Sequence, residues 1–214
     1  MQQRIGIIDL GSNTTRLIVM SYTPHHSFKL VDEVRETVRL AEGADIDGSL
    51  QPAPMDRGVA AMKLFHNFCA STDVDTVVPT ATSAVREATN RAEFLARVEQ
   101  EAGLQLRVLS GEEEAYYGYL GVVNSLAVNN AFVIDIGGGS TEVSMIRGRG
   151  LVRSVSQPIG ALRLAERYVR SDPISKKDFK ALEQAVAERF ADMDWLQEGH
   201  GSTLAGVGGT IRAL

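Results

Sequence analysis

Two stretches decide how this chain folds: RIGIIDLGSNTT at 4–15 and AFVIDIGGGST at 131–141. Each is a β-branched apolar run that ends in aspartate and enters a glycine-bearing turn rich in small hydroxyl residues. Set Asp9 against Asp135, and Ile8 falls on Ile134, Gly11 on Gly137 and Thr15 on Thr141. A strand, turn, strand unit is present twice, as an internal duplication. The duplication implies two lobes that meet near the asparagines at 124, 129 and 130, with residues 1–126 as the N-terminal lobe and 127–214 as the second.

The pattern continues outward from these hairpins. Apolar runs at 17–20 and around 28–34 extend the first hairpin into a meander, and AAMKLFHNFCAS at 60–71 has helical spacing. DTVVPTATS at 75–83 reads as a strand running into a turn, RAEFLARVEQEAG at 91–103 as an amphipathic helix closed by Gly103, and LQLRVLS at 104–110 as a further strand. GEEEAYYGYLGVVNSL at 111–126 is predicted to be a helix whose acidic start suits its own dipole. After the second hairpin come helical patterns at 160–170 and 175–198, then LAGVGGTIRAL at 204–214, a strand entering a glycine turn. Alternating strands and helices of this kind make an α/β chain with mixed sheets.

Composition narrows the function classes. With 44% hydrophobic and 23% charged residues, the 214-residue chain is globular rather than disordered. A net charge of -5 provides no overall positive field for nucleic acid or an anionic membrane, so a polyanionic ligand must be held by local donors. Cys69 is the only cysteine and reads as a buried packing residue, which excludes an internal disulfide and suits a reducing, cytoplasmic setting. The opening MQQRIGIIDLG is broken by Asp9 and Gly11, unlike a signal peptide, and no window has the apolar length of a membrane span.

The chemistry gathers at the turns. A strand ending in aspartate, then glycine and hydroxyl residues, brings backbone N–H groups into one small volume, which is an anion cradle. Gly137, Gly138 and Gly139 admit a phosphate without Cβ obstruction, and Ser12, Asn13, Thr14, Ser140 and Thr141 add side-chain donors. Either turn alone is equally a hairpin of turn-friendly residues; the pair, each behind an aspartate, points to phosphate. Asp9 and Asp135 would repel phosphate oxygens unless a hard cation stands between, and magnesium, or manganese in its place, is that cation. Glu142 is either a further oxygen ligand or an exposed strand carboxylate. SGEEEA at 110–115 leads three carboxylates into a helix, either for its dipole or to supply a general base for water. Arg86, in PTATSAVREATN at 79–90, offers a bidentate phosphate clamp, with Arg16 a weaker one. RGRGLVR at 147–153 reads as a solvated hairpin tip, and the four histidines lack metal-ligand spacing.

Taken together, IGIIDLGSNTTRL, ATSAVREATN, VLSGEEEAYYGYLG, VIDIGGGSTEV and GVGGT resemble the exopolyphosphatase and guanosine pentaphosphate phosphohydrolase family, in order and approximate spacing. That family is a branch of the actin, sugar kinase and heat-shock ATPase superfamily. The resemblance implies two actin-like, ribonuclease H-like lobes, with a cleft between them in which the terminal phosphoryl group of polyphosphate or guanosine pentaphosphate is hydrolysed. It makes Glu113 the base for the attacking water, with Glu114 supporting it. Asp135 and Glu142 become the carboxylates tied to magnesium. Asp9, Gly11, Ser12, Asn13 and Thr14 form one phosphate cradle, residues 137–141 the other, and Arg86 the clamp. Relatives of this kind run on past GVGGT, so the second lobe is expected to be incomplete at its C-terminal end. A homodimer partner is one candidate cover for its open edge. Two rival readings follow from the same motifs. A kinase or ATPase of the superfamily would use both cradles for ATP, the kinase leaving the SGEEEA carboxylates unemployed, and a non-catalytic module would only bind polyphosphate or guanosine pentaphosphate.

Overall fold

The structure, a computed structural model, describes residues 2–44 and 47–213; Met1 and Leu214, the outer limits of the two expected lobes, and Asp45 and Ile46 lie outside the described residues. The chain forms two compact units, Met1–Leu109 and Ser110–Leu214.

The first unit begins with the meander β1 (Gln3–Leu10), β2 (Thr14–Thr23) and β3 (Ser27–Thr37). It continues through α1 (Pro52–Ser71), β4 (Thr76–Ala81), α2 (Ser83–Glu87), α3 (Arg91–Ala102) and β5 (Arg107–Val108). The sheet runs β3-β2-β1-β4-β5, with β1 antiparallel to β2 and parallel to β4. Period-two alternation sends Ile8, Leu10, Leu17 and Val19 to one face, where they are buried. Helix α1 packs on β1, β2 and α3, and contributes Met55, Val59, Met62 and Phe65 to the core; α3 contributes Phe94 and Val98. The helix expected from residue 60 starts at Pro52, because proline at a first helical position loses an N–H that has no partner there anyway. The strand expected over 104–110 shrinks to β5, since only Thr80 and Ala81 of β4 pair with it. Cys69 is buried as expected, and burial pushes its thiol above the usual range.

The second unit contains α4 (Gly111–Ser125), β6 (Ala131–Ile136), β7 (Thr141–Arg147), β8 (Gly150–Gln157) and α5 (Ala161–Tyr168). It ends with α6 (Lys176–Phe190), a 3₁₀ turn (Asp194–Gly199), β9 (Leu204–Val207) and α7 (Gly208–Arg212). Its sheet order, β8-β7-β6-β9, repeats β3-β2-β1-β4 term for term, and β6 again runs antiparallel to β7 and parallel to β9. The repeat seen in the sequence is thus a repeat of topology. Two mixed sheets flanked by helices give the actin-like α/β class expected.

Helix α4, placed before the expected lobe boundary at 126/127, packs on β7 and β8, and the compact units divide at 109/110 instead. The physical reason is its apolar stripe: Val122 and Val123 are buried with Val133, Ile146 and Ala205. The helical pattern expected over 175–198 breaks into α6 and the 3₁₀ turn, so that Trp195 stacks on Phe132 with ring centroids 5.9 Å apart. Arg147 lies 5.6 Å from the same Phe132 ring. The β7–β8 tip is exposed yet tied down, for the Tyr119 hydroxyl donates to the Arg149 carbonyl at 2.7 Å and the Arg149 guanidinium donates to the carbonyls of Val123 and Val128.

Phe65 is fully buried at the centre of the first unit's core. Phe65→Ala leaves a cavity as well as a lost transfer energy, and is expected to lower stability by roughly 3–5 kcal/mol in a urea titration.

Candidate functional site

In the first unit the site is built on the end of β1. Asp9 lies in register with Arg16 on β2 and Thr80 on β4, so the aspartate stands at a sheet position flanked on both sides. The turn behind it closes by Gly11 N–H donating to the Thr14 carbonyl at 3.1 Å. The Asn13 carbonyl accepts from Val38 N–H at 3.0 Å and Arg39 N–H at 2.8 Å, and the Ser12 carbonyl accepts from Ala41 N–H at 3.0 Å. A trans peptide points its C=O and N–H in opposite directions. With those carbonyls drawn toward residues 38–41, the N–H groups of Asn13 and Thr14 are directed away from that segment. Thr15 hydroxyl donates to the Asp9 carbonyl at 3.0 Å and fixes the strand end.

The side chains of this turn divide. Asn13 and Thr14 are exposed, whereas Ser12 is only 3% exposed and its hydroxyl shares a 2.9 Å hydrogen bond with that of Ser83 at the start of α2. Arg86 is half-buried in the last turn of the five-residue α2, and its guanidinium donates to the Leu109 carbonyl at 3.0 Å. Arg16 forms a 2.8 Å ion pair with Glu33, whose carboxyl is held below the usual range first by that hydrogen bond.

The second unit repeats the device. Gly137 N–H closes on the Ser140 carbonyl at 3.0 Å. Every carbonyl of the three-glycine turn is then taken by the approach to α5: Gly137 by Ala161 N–H at 2.9 Å, Gly138 by Leu162 N–H at 3.0 Å and Arg163 N–H at 3.2 Å, and Gly139 by Gly160 N–H at 3.1 Å. By the same trans-peptide rule, the N–H groups of Gly138, Gly139 and Ser140 point away from α5. Two backbones cross here at close range. A Cβ on Gly160 would lie 2.3 Å from the Gly138 carbonyl carbon, so only glycine fits. Ser140 and Thr141 are buried, and the Thr141 hydroxyl donates to the Ile159 carbonyl at 2.6 Å, so that this side chain braces the turn.

Asp135 and Glu142 face each other across β6 and β7 in direct register, which puts two carboxylates on one face of the sheet. Glu142 is 5% exposed, which rules out the exposed-carboxylate reading, and the Ser156 hydroxyl on β8 donates to its Oε1 at 2.6 Å. Burial raises the Asp135 carboxyl above the usual aspartate range, against a smaller lowering by Arg212. Gly208, at φ +88°, opens α7 against this aspartate; a Cβ there would sit 2.5 Å from Asp135 Oδ1. Two opposed carboxylates are hard oxygen donors for a divalent cation that keeps part of its water shell, so the residues fit magnesium. Among the described residues there is no cluster of three or more His, Cys, Asp or Glu side chains that could hold a metal.

At the start of α4, Ser110 and Glu113 form a capping box: Glu113 N–H donates to Ser110 Oγ at 3.1 Å, and Ser110 N–H donates to Glu113 Oε2 at 2.9 Å. The S-x-x-E spacing that announces this box is legible in the sequence. Glu113 and Glu114 are half-buried, Glu112 exposed. Ser156 and Ser83, which hold Glu142 and Ser12, carried no sequence signal of their own, being single serines whose partners are 14 and 71 residues away.

The chain is similar to known proteins along its whole length. A guanosine-5'-triphosphate,3'-diphosphate pyrophosphatase from Pseudoalteromonas atlantica is 33% identical over the whole chain, which spans 42% of that protein's length. An exopolyphosphatase from Cytophaga hutchinsonii superposes with a TM-score of 0.88 at 27% identity, covering 98% of this chain and 68% of that one. A PilM–PilN type IV pilus biogenesis complex shares the fold at a TM-score of 0.58 and 12% identity, over 97% of this chain and 82% of that one. Among the described residues no helix is long and apolar enough to cross a membrane. Residues 18–214 match the Ppx/GppA phosphatase family throughout, and the chain belongs to that family.

Proposed function

We propose that this chain carries the phosphate-gripping and water-activating groups of a phosphoanhydride hydrolase, which releases orthophosphate from the end of inorganic polyphosphate or from guanosine pentaphosphate. The observation that carries the proposal is the duplicated turn: in each, carbonyls are drawn to one side and amides to the other, directly behind an aspartate. The similarity to a guanosine-5'-triphosphate,3'-diphosphate pyrophosphatase and to an exopolyphosphatase supports the substrate class.

In this reading the turn amides of 13–14 and 138–140 and the Arg86 guanidinium hold phosphoryl oxygens, neutralising charge that the chain as a whole would repel. Glu113 orients a water in line with the terminal phosphorus and takes its proton as the oxygen–phosphorus bond forms. The anhydride bond breaks on the opposite side, and the shortened phosphate chain departs with the bridging oxygen. Glu114 supports Glu113 from the same turn of α4. Asp135 and Glu142 would hold Mg²⁺, which when bound withdraws charge from the phosphoryl oxygens. Transfer of the phosphoryl group to an acceptor other than water, as in a kinase, would leave the α4 carboxylates without a task.

Burying Asp135 without its cation carries a cost. Its folded-state value lies above its unfolded one, so the stability it contributes is complete below an aspartate's ordinary 3.8 and is lost as pH rises through the raised value. Asp135→Asn is therefore expected to raise the melting temperature of the metal-free protein at pH 7, with the gain vanishing as the pH is brought below 3.8.

Glu113→Gln keeps a capping-box residue at the third helical position, so fold and phosphate binding should survive. Loss of the base should cut turnover by roughly 10²–10⁴-fold. Free phosphate is measured from polyphosphate with no nucleotide or acceptor present, on this chain and on a version extended past Leu214. Hydrolysis at the parent rate in the variant defeats the assignment, and ligand binding without turnover in either parent chain would make the protein a binding module.

A further inference from the structure

One hydroxyl touches both halves of the second unit's chemistry. Glu142 is almost wholly removed from water, and a carboxylate in that position is tolerated only when hydrogen-bonded. Ser156, directly opposite Glu142 in the β7–β8 register, donates to it at 2.6 Å, within the range of charge-assisted bonds. The other side of Ser156 is pressed by the first residue of α4. A Cβ added to Gly111 would come within 2.6 Å of Ser156 Cβ and 2.9 Å of its Oγ, so the helix backbone rests directly on this serine. Two residues further on, Glu113 is locked to the same helix start by the Ser110 capping box.

We propose that Ser156 is a positioning residue that fixes the Glu142 carboxylate and the first turn of α4 relative to each other, and so sets the placement of Glu113. The proposal rests on the hydrolase reading above for its catalytic consequence, but the placement itself is a property of the second unit. Backbone and side chain contribute separately. Gly111 supplies the close approach, and the hydroxyl is the side-chain donor on Ser156 that orients the carboxylate. Neither residue touches phosphate in this account. A serine that merely satisfied a buried acceptor would have no reason to stand under a helix start that tolerates nothing larger than glycine.

The test is a double-mutant cycle on the full chain, using Ser156→Ala, Glu142→Gln and the pair, with Gly111→Ala as an independent lever. Two readouts are taken: phosphate release from polyphosphate, and the amide resonances of residues 111–114 in ¹⁵N-labelled protein, with melting temperature recorded for each variant. Ser156→Ala is expected to lower kcat roughly 10–100-fold with KM within about twofold, as partners that orient functional ligands generally do. The loss should disappear in the Glu142→Gln background, and the amides of 111–114 should shift in Ser156→Ala and Gly111→Ala alike. An equal loss in both backgrounds, or unmoved amides at 111–114, overturns the proposal. A parent chain that binds phosphate but releases none sinks the hydrolase reading alone, and the amide shifts then still decide whether Ser156 positions α4.

Discussion

A glycine N–H closing on the carbonyl three residues later, Gly11 on Thr14 and Gly137 on Ser140, holds both first hairpins shut. That single bond ends the strand immediately after an aspartate and forces the next peptides to turn over. Neighbouring segments then take up the turn's carbonyls: residues 38–41 in the first unit and the approach to α5 in the second. What is left for a ligand is the opposite side of each peptide, which is the donor side. The outward set of the amides is therefore a by-product of how the hairpin satisfies its own backbone acceptors, in keeping with the rule that buried carbonyls find partners.

The two turns are similar in backbone and different in surroundings. Asp9 faces Arg16 across its hairpin, whereas Asp135 faces Glu142. One unit has an opposite-charge pair where the other has a like-charge pair, and directly opposed like charges destabilise a sheet. The duplicated design is thus not electrostatically symmetric. A carboxylate pair that is unfavourable alone becomes favourable beside a divalent cation, and on the proposed function that is the part of the second unit's pair.

Much of this was legible in the sequence because it rests on local patterns. Strand alternation and glycine turns depend on residues close together in the chain, and the internal repeat shows as the same motif written twice, which the two sheets carry as one topology. Long-range contacts were not legible. That α4 packs on the second sheet depends on Val122 and Val123 meeting Val133, Ile146 and Ala205, which no local pattern states. The start of α1 at Pro52 is marked by proline rather than by apolar spacing, which becomes regular only from residue 60. At the site, the motif residues stood out, while their supports Ser83, Ser156 and Gly160 did not, since a serine or glycine acquires such a role only from what the fold brings beside it.

Trp195 is the chain's single tryptophan, and its ring lies at 16° to that of Phe132, in the strand that ends beside Asp135. Red-edge excitation therefore lights up one unit and leaves the other dark. The chain carries a native fluorophore whose emission follows the indole's contact with β6, so that unfolding or rearrangement of the carboxylate-bearing half can be followed optically without a label.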